Sequence, residues 1–241
     1  MVDVTIDGDG RLPEGVRIAP GPRPAAPAAP RRGPDLPDAD AVSPVRTGRH
    51  TRVRPVAPVD YEWLYTVALH TPAGSRWRLH GEIPTYDQFM STMLAGAKAT
   101  CVITDAAGGL LGMVQLWHHD PLSRHAQITA FLSPDAEGRG WPLEGVLLFV
   151  DYAFAAFDLR KIYVEALEPE LASYRSLVGT LLREEGRLRD HQYLFGRYVD
   201  GYLLAMYRDD FATFFARVVG TRPAGSPAEE PSQPDNQEGV S

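Results

Sequence analysis

The sequence is poor in cysteine, because Cys101 is the only one among its 241 residues. A single thiol cannot form an internal disulfide, and no spacing of cysteine and histidine resembles a zinc site, so no metal centre is expected. Cys101 lies in the apolar run from Thr100 to Thr104. We interpret it as a buried structural thiol rather than a nucleophile.

An excess of positive charge is also absent. The chain has 24 Lys and Arg residues against 31 Asp and Glu residues, which gives a formal net charge of −7. General nucleic-acid binding needs a basic face that displaces counterions from phosphates, so this composition argues against that function. Basic residues cluster locally at 46–54 and 183–189, which leaves a local phosphate contact open.

Long apolar runs are lacking as well. The most apolar stretch, from Val146 to Phe157, contains Asp151 and is shorter than the roughly 20 residues that a helix needs to span a bilayer. The N-terminus is acidic and shows no apolar segment of the kind found in signal peptides. We therefore expect a cytoplasmic protein without a membrane partner.

Both ends of the chain are rich in proline and small residues. Residues 1–48 are dense in Pro, Ala, Gly, Arg and Asp and show no apolar periodicity that could offset the entropy of ordering. Residues 221–241 turn again to Pro, Gly, Ser and acidic side chains. We expect two disordered tails around one globular domain at residues 49–220.

Between the tails, strand and helix patterns alternate. The clearest is a helix whose apolar side chains recur at helical spacing from Leu143 to Phe157. The other predicted elements are helices that begin at Asp60 and Thr85, a helix at 171–182, and strands at 51–56, 100–104, 110–117, 124–132, 161–165, 192–195 and 202–208. This order predicts a mixed α/β domain with one strand–helix–strand crossover in its centre.

The segment between the strand at 124–132 and the long helix reads Glu137-Gly-Arg-Gly-Trp-Pro142. The first turn of a helix presents unpaired backbone N–H groups and the positive end of the helix dipole, which together bind anions. Gly138 and Gly140 let a phosphate approach those amides without a Cβ atom in the way, and Arg139 can add a charge-assisted hydrogen bond. By itself the pattern also fits a plain loop.

The element order, with this loop between the fourth predicted strand and the long helix, resembles the GNAT superfamily of N-acetyltransferases. The likeness covers about residues 51–212 and implies an α/β (α+β) fold with a mixed, mostly antiparallel sheet and flanking helices. A second likeness is to the RimJ/RimL-like branch. It rests on Glu185-Gly-Arg-Leu-Arg-Asp-His191, Gly196-Arg-Tyr-Val-Asp200 and Tyr207-Arg-Asp-Asp210.

The resemblance implies an enzyme, an N-acyltransferase that moves an acetyl or other acyl group from coenzyme A to a primary amine of a protein N-terminus or a small molecule. Acetyl-CoA or another acyl-CoA would be the co-substrate. The loop departs from the family pattern Gln/Arg-x-x-Gly-x-Gly/Ala at Glu137 and Pro142. Two alternatives therefore stay open: a donor bound to a carrier protein or tRNA, and a non-catalytic binding or regulatory module.

The resemblance also indicates where coenzyme A would lie. The backbone of three residues would pair with its pantetheine arm, and the loop would hold its pyrophosphate. The implied residues are Phe131, Leu132 and Ser133 for the pantetheine arm, and Gly138, Arg139, Gly140 and Trp141 for the pyrophosphate.

For catalysis, Ser173 matches the serine of the family's Asn-x-x-Ser pattern, which lies near the thiol sulfur, whereas Glu170 replaces the asparagine. Candidates for the general base are Glu82, which lies between the first two helices, and His118 or His119 at the end of a strand. A chain of water molecules is the remaining alternative. A homodimer formed through the closing strands is also left open.

Overall fold

The computed structural model describes residues 43–71, 79, 81–136, 140–194 and 196–220. Most of both predicted tails lies outside this range, although a short strand forms within the first tail. Among the described residues, none of the helices combines the length and the apolar character needed to cross a membrane. In the same part of the chain, no three His, Cys, Asp or Glu side chains gather at a potential metal site.

One eight-stranded sheet forms the centre of the fold. Its strands are β1 (Arg46–Thr47), β2 (Thr51–Pro55), β3 (Ala99–Asp105), β4 (Leu110–Asp120), β5 (His125–Leu132), β6 (Lys161–Leu167), β7 (Arg183–Leu194) and β8 (Arg197–Tyr207). Their order across the sheet is β1-β2-β3-β4-β5-β6-β8-β7. Neighbouring strands are antiparallel except β5 and β6, which are parallel. The predicted mixed sheet with a central crossover is therefore confirmed.

The helices are α1 (Tyr61–His70), α2 (Tyr86–Leu94), α3 (Pro142–Ala156), α4 (Leu171–Tyr174) and α5 (Arg208–Val218). Thr85 caps α2 as its sequence predicts: the Gln88 N–H donates to the Thr85 hydroxyl, and the Gln88 side-chain oxygen accepts from the Thr85 N–H. Proline at the first position of α3 costs no helical hydrogen bond, since that N–H would have no partner within the helix.

Two apolar layers hold the helices on the sheet. Leu147, Val150 and Phe154 of α3 are buried against one face, as their spacing predicts, whereas Leu143 at the start of that stripe is 36% exposed. On the opposite face, buried side chains of α1 and α2 pack against β3, β4 and β5. Each fully buried leucine or phenylalanine contributes about 1.5 to 3 kcal/mol to this packing.

The predicted helix at 171–182 is wrong beyond its first turn. The structure ends α4 at Tyr174 and continues as turns, with the N–H groups of Leu181 and Leu182 both donating to the Leu177 carbonyl. Gly179 has a φ of 83°, a left-handed conformation that interrupts an α-helix. Leu181 and Leu182 remain buried, so the segment fills the same core without being helical.

The closing strands are much longer than predicted. β7 begins at Arg183 rather than at residue 192, and β8 begins at Arg197 rather than at 202. β7 is the edge strand of the sheet and most of its side chains are exposed, so it shows no alternation of apolar and polar residues. Helix α5 was not predicted, although its Phe211 is buried in the core.

Glu144, in the first turn of α3, joins the β1–β2 turn to that helix. Its carboxylate accepts hydrogen bonds from the backbone N–H groups of Arg49 (2.7 Å), His50 (2.9 Å) and Thr51 (2.9 Å), and from the Thr51 hydroxyl (2.8 Å). Burial would raise the pKa of Glu144, but these four hydrogen bonds outweigh burial and lower the pKa below its ordinary value. The start of α3 is thereby fixed to the sheet.

Glu185 ties the closing hairpin to β6. Its carboxylate accepts hydrogen bonds from Lys161 Nζ (2.5 Å), Tyr163 Oη (2.8 Å) and Tyr207 Oη (2.5 Å). Burial would raise the pKa of Glu185, but the hydrogen bonds from Lys161, Tyr207 and Tyr163 outweigh it and lower the pKa to about 2. One carboxylate thus connects three strands of the sheet.

We expect Glu144→Ala to lower the free energy of unfolding by about 2 kcal/mol, because three backbone N–H groups and one hydroxyl lose a charged acceptor. Urea unfolding at pH 7 measures this change. Glu62→Ala, which removes an exposed carboxylate from the first turn of α1, is the matched control and should change stability by less than about 0.5 kcal/mol. Equal losses in the two variants would contradict the anchoring role.

We expect the contribution of Glu185 to stability to depend on pH. The pKa of Glu185 is lower in the folded chain than its ordinary value of 4.5, so its contribution is present above 4.5 and is lost as the pH falls toward 2. Glu185→Gln should therefore cost about 1 kcal/mol at pH 7 and less than half of that at pH 3, after allowance for solvent screening. Urea unfolding of both proteins at the two pH values tests this, and an equal loss at both would contradict it.

Candidate functional site

Strands β5 and β6 begin side by side and then separate. Their parallel register runs from His125 paired with Lys161 to Ile128 paired with Val164. Beyond this point the register pairs residues 129–132 with β4 and residues 165–167 with β8. At roughly 3.3 Å per residue, the gap between the two strands is about 10 to 13 Å long.

The backbone of β5 presents polar groups to this gap. The Ser133 N–H donates to the Leu111 carbonyl (2.8 Å). Antiparallel pairing alternates along a strand, so Phe131, like Ser133, directs its amide groups toward β4, whereas Ala130 and Leu132 direct theirs toward the gap. Of the three residues implied for the pantetheine arm, Leu132 is therefore the one whose backbone faces the gap. An extended ligand with amide groups can pair there as a strand would.

Residues 133–136 follow β5 at the end where the gap opens, and Gly140 and Trp141 directly precede α3. Glu137, Gly138 and Arg139 fall outside the described residues. Gly140 has a φ of 74°, and among the described residues beyond its two chain neighbours no heavy atom would lie within 4 Å of a Cβ atom at that position. Pro142 has no N–H, so the first turn of α3 offers one donor fewer to an anion.

A cleft of about 420 Å³ lies between α1, the ends of β3 and β4 at their connecting turn, and residues 133–135 and 141. Trp63 of α1 and Trp141 of the loop form part of its wall, together with the buried Ser133 and the acidic side chains of Asp105 and Asp135. Trp141, implied for pyrophosphate binding, thus borders the same cleft as Trp63 of α1. The cleft lies on the β4 side of Ser133, since Leu110 and Leu111 also line it.

The face of the sheet opposite α3, over β5 to β8, carries a chain of polar side chains, which we call the polar face. Glu165 is the first β6 residue beyond the pairing with β5, so it lies where the gap opens. Its carboxylate accepts from Gln127 Nε2 (3.1 Å) and contacts His191 Nε2 (3.0 Å). His118 Nδ1 lies 3.2 Å from Gln127 Oε1 and extends the chain.

The structure brings only one of the three predicted base candidates into this chain. His118 lies on the polar face through its contact with Gln127, whereas the ring of His119 packs against Phe157, on the α3 side of the sheet (centroids 5.5 Å apart). Glu82 is exposed in a turn, where its N–H donates to the Leu79 carbonyl. Neither Glu165 nor His191 was predicted, because only the strand register shows that they meet.

Ser173 is exposed in α4, shortly after the end of β6. Because β5 and β6 are parallel, their C-terminal ends lie at the same end of the sheet. Ser173, which follows β6, therefore lies toward the same end as the residues that follow β5. Glu170, which replaces the family's asparagine, accepts a hydrogen bond from the Leu167 N–H (3.0 Å). It therefore stabilises the turn that leads into α4.

Curated proteins with related sequences are N-acetyltransferases by name. A spermidine N(1)-acetyltransferase of Vibrio cholerae serotype O1 is 30% identical over 106 residues, which are 43% of this chain and 60% of that protein. An uncharacterized N-acetyltransferase p20 of Bacillus licheniformis is 29% identical over 110 residues, 45% of this chain and 60% of that protein. The matched region therefore spans less than two thirds of either relative.

Solved structures share the fold. The crystal structure of spermidine N-acetyltransferase from Vibrio cholerae in complex with CoA and spermine superposes with a TM-score of 0.59 at 20% identity, covering 67% of this chain and 98% of that one. Mutant forms of the spermidine/spermine N-acetyltransferase SpeG from the same organism give 0.58 at 20% identity, with 68% and 97% covered. The acetyltransferase (GNAT) domain family matches residues 50–177, more than half of the chain. The chain belongs to the GNAT family of acetyltransferases.

Proposed function

We propose that this protein is an N-acetyltransferase that moves an acetyl group from acetyl-CoA to a primary amine. The observation that carries the proposal is the gap between β5 and β6, which opens beside the loop at the start of α3. A gap lined by strand backbone suits the extended, amide-containing pantetheine arm, and the loop suits phosphates. Family membership and the names of the relatives support the same chemistry.

In this proposal, the backbone of residues 131–133, chiefly at Leu132, pairs with the pantetheine arm. The pyrophosphate lies against the loop residues Gly138, Arg139, Gly140 and Trp141. The space beside Gly140 among the described residues supports this placement, since a phosphate can approach the backbone there. Pro142 removes one donor, so we expect the remaining amides and Arg139 to carry the phosphate contacts.

Acetyl transfer requires an unprotonated amine, which attacks the thioester carbonyl carbon. The new C–N bond forms, the C–S bond breaks, and the thiolate leaves. The amine must lose a proton to a base, and the thiolate is stabilised by a hydrogen-bond donor. We propose the Ser173 hydroxyl as that donor, because it lies at the edge of the sheet toward which the gap opens.

For the acceptor we propose a small-molecule amine. One relative is named for spermidine and one solved relative contains spermine, which supports this choice for the present chain. The net charge of −7 favours a cationic acceptor in a general way. A protein N-terminus, which the RimJ/RimL-like likeness of the closing strands implies, is the alternative outcome of the same assay.

Three finer points belong to the proposal as well. We propose a place near the RimJ/RimL-like branch on sequence likeness alone, and the stretches that carry this likeness lie in β7, β8 and the start of α5. We propose a cytoplasmic location, with Cys101 as a reduced, buried thiol. A homodimer through the edge strand β7 is consistent with its position at the end of the sheet.

We expect the protein to bind acetyl-CoA with a dissociation constant of tens of micromolar or tighter, roughly −6 kcal/mol. Isothermal titration calorimetry with acetyl-CoA and with free coenzyme A measures the affinity. Release of free thiol with spermidine, spermine and short peptides with free N-termini then identifies the acceptor class. Binding of neither ligand would overturn the proposal in favour of a carrier-bound donor or a module without catalysis.

We expect Ser173→Ala to lower kcat about tenfold, because the thiolate loses its hydrogen-bond donor, while the affinity for acetyl-CoA changes less than twofold. Ser176→Ala is the matched control, since Ser176 is an exposed serine three residues further on. Steady-state kinetics and calorimetry on both variants make the comparison. A Ser173→Ala protein with the turnover of the Ser176→Ala protein would remove Ser173 from the mechanism.

A further inference from the structure

Three strands bring a carboxylate and an imidazole together on the polar face. Glu165 belongs to β6 and His191 to β7, and these strands are not neighbours, because β8 lies between them. Even so, His191 Nε2 lies 3.0 Å from Glu165 Oε1. The side chain of His191 must therefore cross β8 to reach Glu165.

Gly201 of β8 is what allows this crossing. It is paired with Leu167 of β6 on one side and with Leu188 of β7 on the other. A Cβ atom at position 201 would lie 2.7 Å from His191 Cδ2, closer than real contacts permit. The absence of a side chain at Gly201 leaves the space that the imidazole ring occupies.

Glu165 differs from three neighbouring carboxylates in what holds it. Glu185 accepts from the Lys161 ammonium group, Asp200 pairs with Arg187, and Glu168 pairs with Arg197. A carboxylate held by a permanent cation resists protonation. Within the described part of the chain, Glu165 is held instead by the neutral amide of Gln127 and the imidazole of His191, so it can take up a proton without breaking a pair with a lysine or arginine.

We propose that Glu165 is the general base for the acceptor amine and that His191 passes the proton on to solvent. This inference rests on the proposed acetyltransferase function. The acceptor ammonium group gives one proton to the Glu165 carboxylate, and the neutral amine attacks the thioester carbonyl carbon. As the C–S bond breaks, the second proton on the nitrogen passes to the departing thiolate, which leaves as coenzyme A. With the His191 ring protonated at Nδ1, Nε2 then accepts the proton from Glu165, the ring releases its Nδ1 proton to water, and the carboxylate is regenerated.

The position and exposure of both groups fit these roles. Glu165 lies at the point where the gap opens, so an amine approaching from the polar face meets it next to the thioester. The side chain of Glu165 is 39% exposed and that of His191 is 37% exposed, which leaves room for an acceptor at the first and for water at the second. An imidazole has two ring nitrogens, so it can accept a proton at one and release a proton from the other, as a relay to solvent requires.

Other groups on the surrounding elements also bear on the pH dependence. Most of them are already engaged in hydrogen bonds, ion pairs or ring contacts with one another. The groups are His118 and Asp120 on β4, His125 on β5, Lys161 and Tyr163 on β6, Glu185 and Arg187 on β7, Asp200, Tyr202 and Tyr207 on β8, and the pair of Glu168 with Arg197.

The first test replaces the base. Glu165→Gln keeps the shape and the hydrogen bonds but cannot take up the proton, so we expect kcat with acetyl-CoA and spermidine to fall at least 100-fold. The calorimetric affinity for acetyl-CoA should stay within twofold of the unaltered protein. Glu168→Gln is the matched control: Glu168 directly follows β6, is exposed and pairs with Arg197. The kcat of this variant should stay within threefold of the unaltered protein.

The second test moves the imidazole without altering it. Gly201→Ala places a methyl group against the His191 ring, and we expect kcat to fall about tenfold, as in His191→Gln. Gly186→Ala in the same hairpin is the control, since its Cβ would meet the nearest atom at an ordinary 3.8 Å. In both the Gly201→Ala and the His191→Gln proteins, we expect the dependence of kcat on pH to change in the same direction relative to the wild-type protein.

The outcomes separate the two proposals. A wild-type protein that binds no acetyl-CoA, or that releases no thiol with any amine tested, overturns the proposed function and this inference with it. If the wild-type protein is active and the kcat of the Glu165→Gln variant is within threefold of the wild-type value, the inference alone is overturned. Unchanged pH profiles in both His191→Gln and Gly201→Ala would remove His191 from the proton path.

Discussion

The parallel pairing of β5 and β6 ends after four residue pairs, and the rest of the site depends on this early end. A parallel pair that continued along both strands would satisfy the backbone groups of β5 internally and leave no place for an extended ligand. Because β6 is held by β8 on its other side and β5 by β4, neither strand needs the other beyond Ile128 and Val164. The sheet can therefore open without losing its continuity.

Electrostatics divides the carboxylates that hold the sheet and its helices into two kinds. Glu185 accepts hydrogen bonds from a lysine and two tyrosines, and Glu144 in α3 accepts them from backbone N–H groups of the β1–β2 turn. Because these donors favour the charged form, both carboxylates stay ionised at neutral pH and hold elements of the fold together. Glu165 is held by an amide and an imidazole at the mouth of the gap. The first kind stabilises the fold at neutral pH, and the second is suited to exchanging protons.

Much of the fold could be predicted from the sequence where burial makes apolar residues recur at a regular spacing. Leu147, Val150 and Phe154 recur at helical spacing because α3 buries one face, and the strands from 100 to 132 are apolar because helices cover them. Edge strand β7 has few buried side chains and so carried no such signal. The helical pattern at 171–182 failed because Gly179 adopts a left-handed conformation that periodicity does not reveal.

The candidate site was predictable only in part for a related reason. Ser133, Gly140 and Ser173 stand in motifs that are continuous in sequence, so a family resemblance can locate them. Glu165 and His191 are 26 residues apart and meet across an intervening strand. Their contact depends on the strand order, on the register of β8 and on the missing side chain of Gly201, none of which a local pattern contains.

The anchoring of the β1–β2 turn on Glu144 has a consequence for the order of events during synthesis. The turn donates to a carboxylate that lies 93 to 95 residues later in the chain. At about 5 to 20 residues per second, the ribosome adds Glu144 roughly 5 to 20 seconds after Thr51. Until then the β1–β2 hairpin has no partner on α3, so the two ends of the β1-to-α3 region can join only after the start of α3 has been synthesised. The contact therefore marks the moment at which this half of the domain becomes complete.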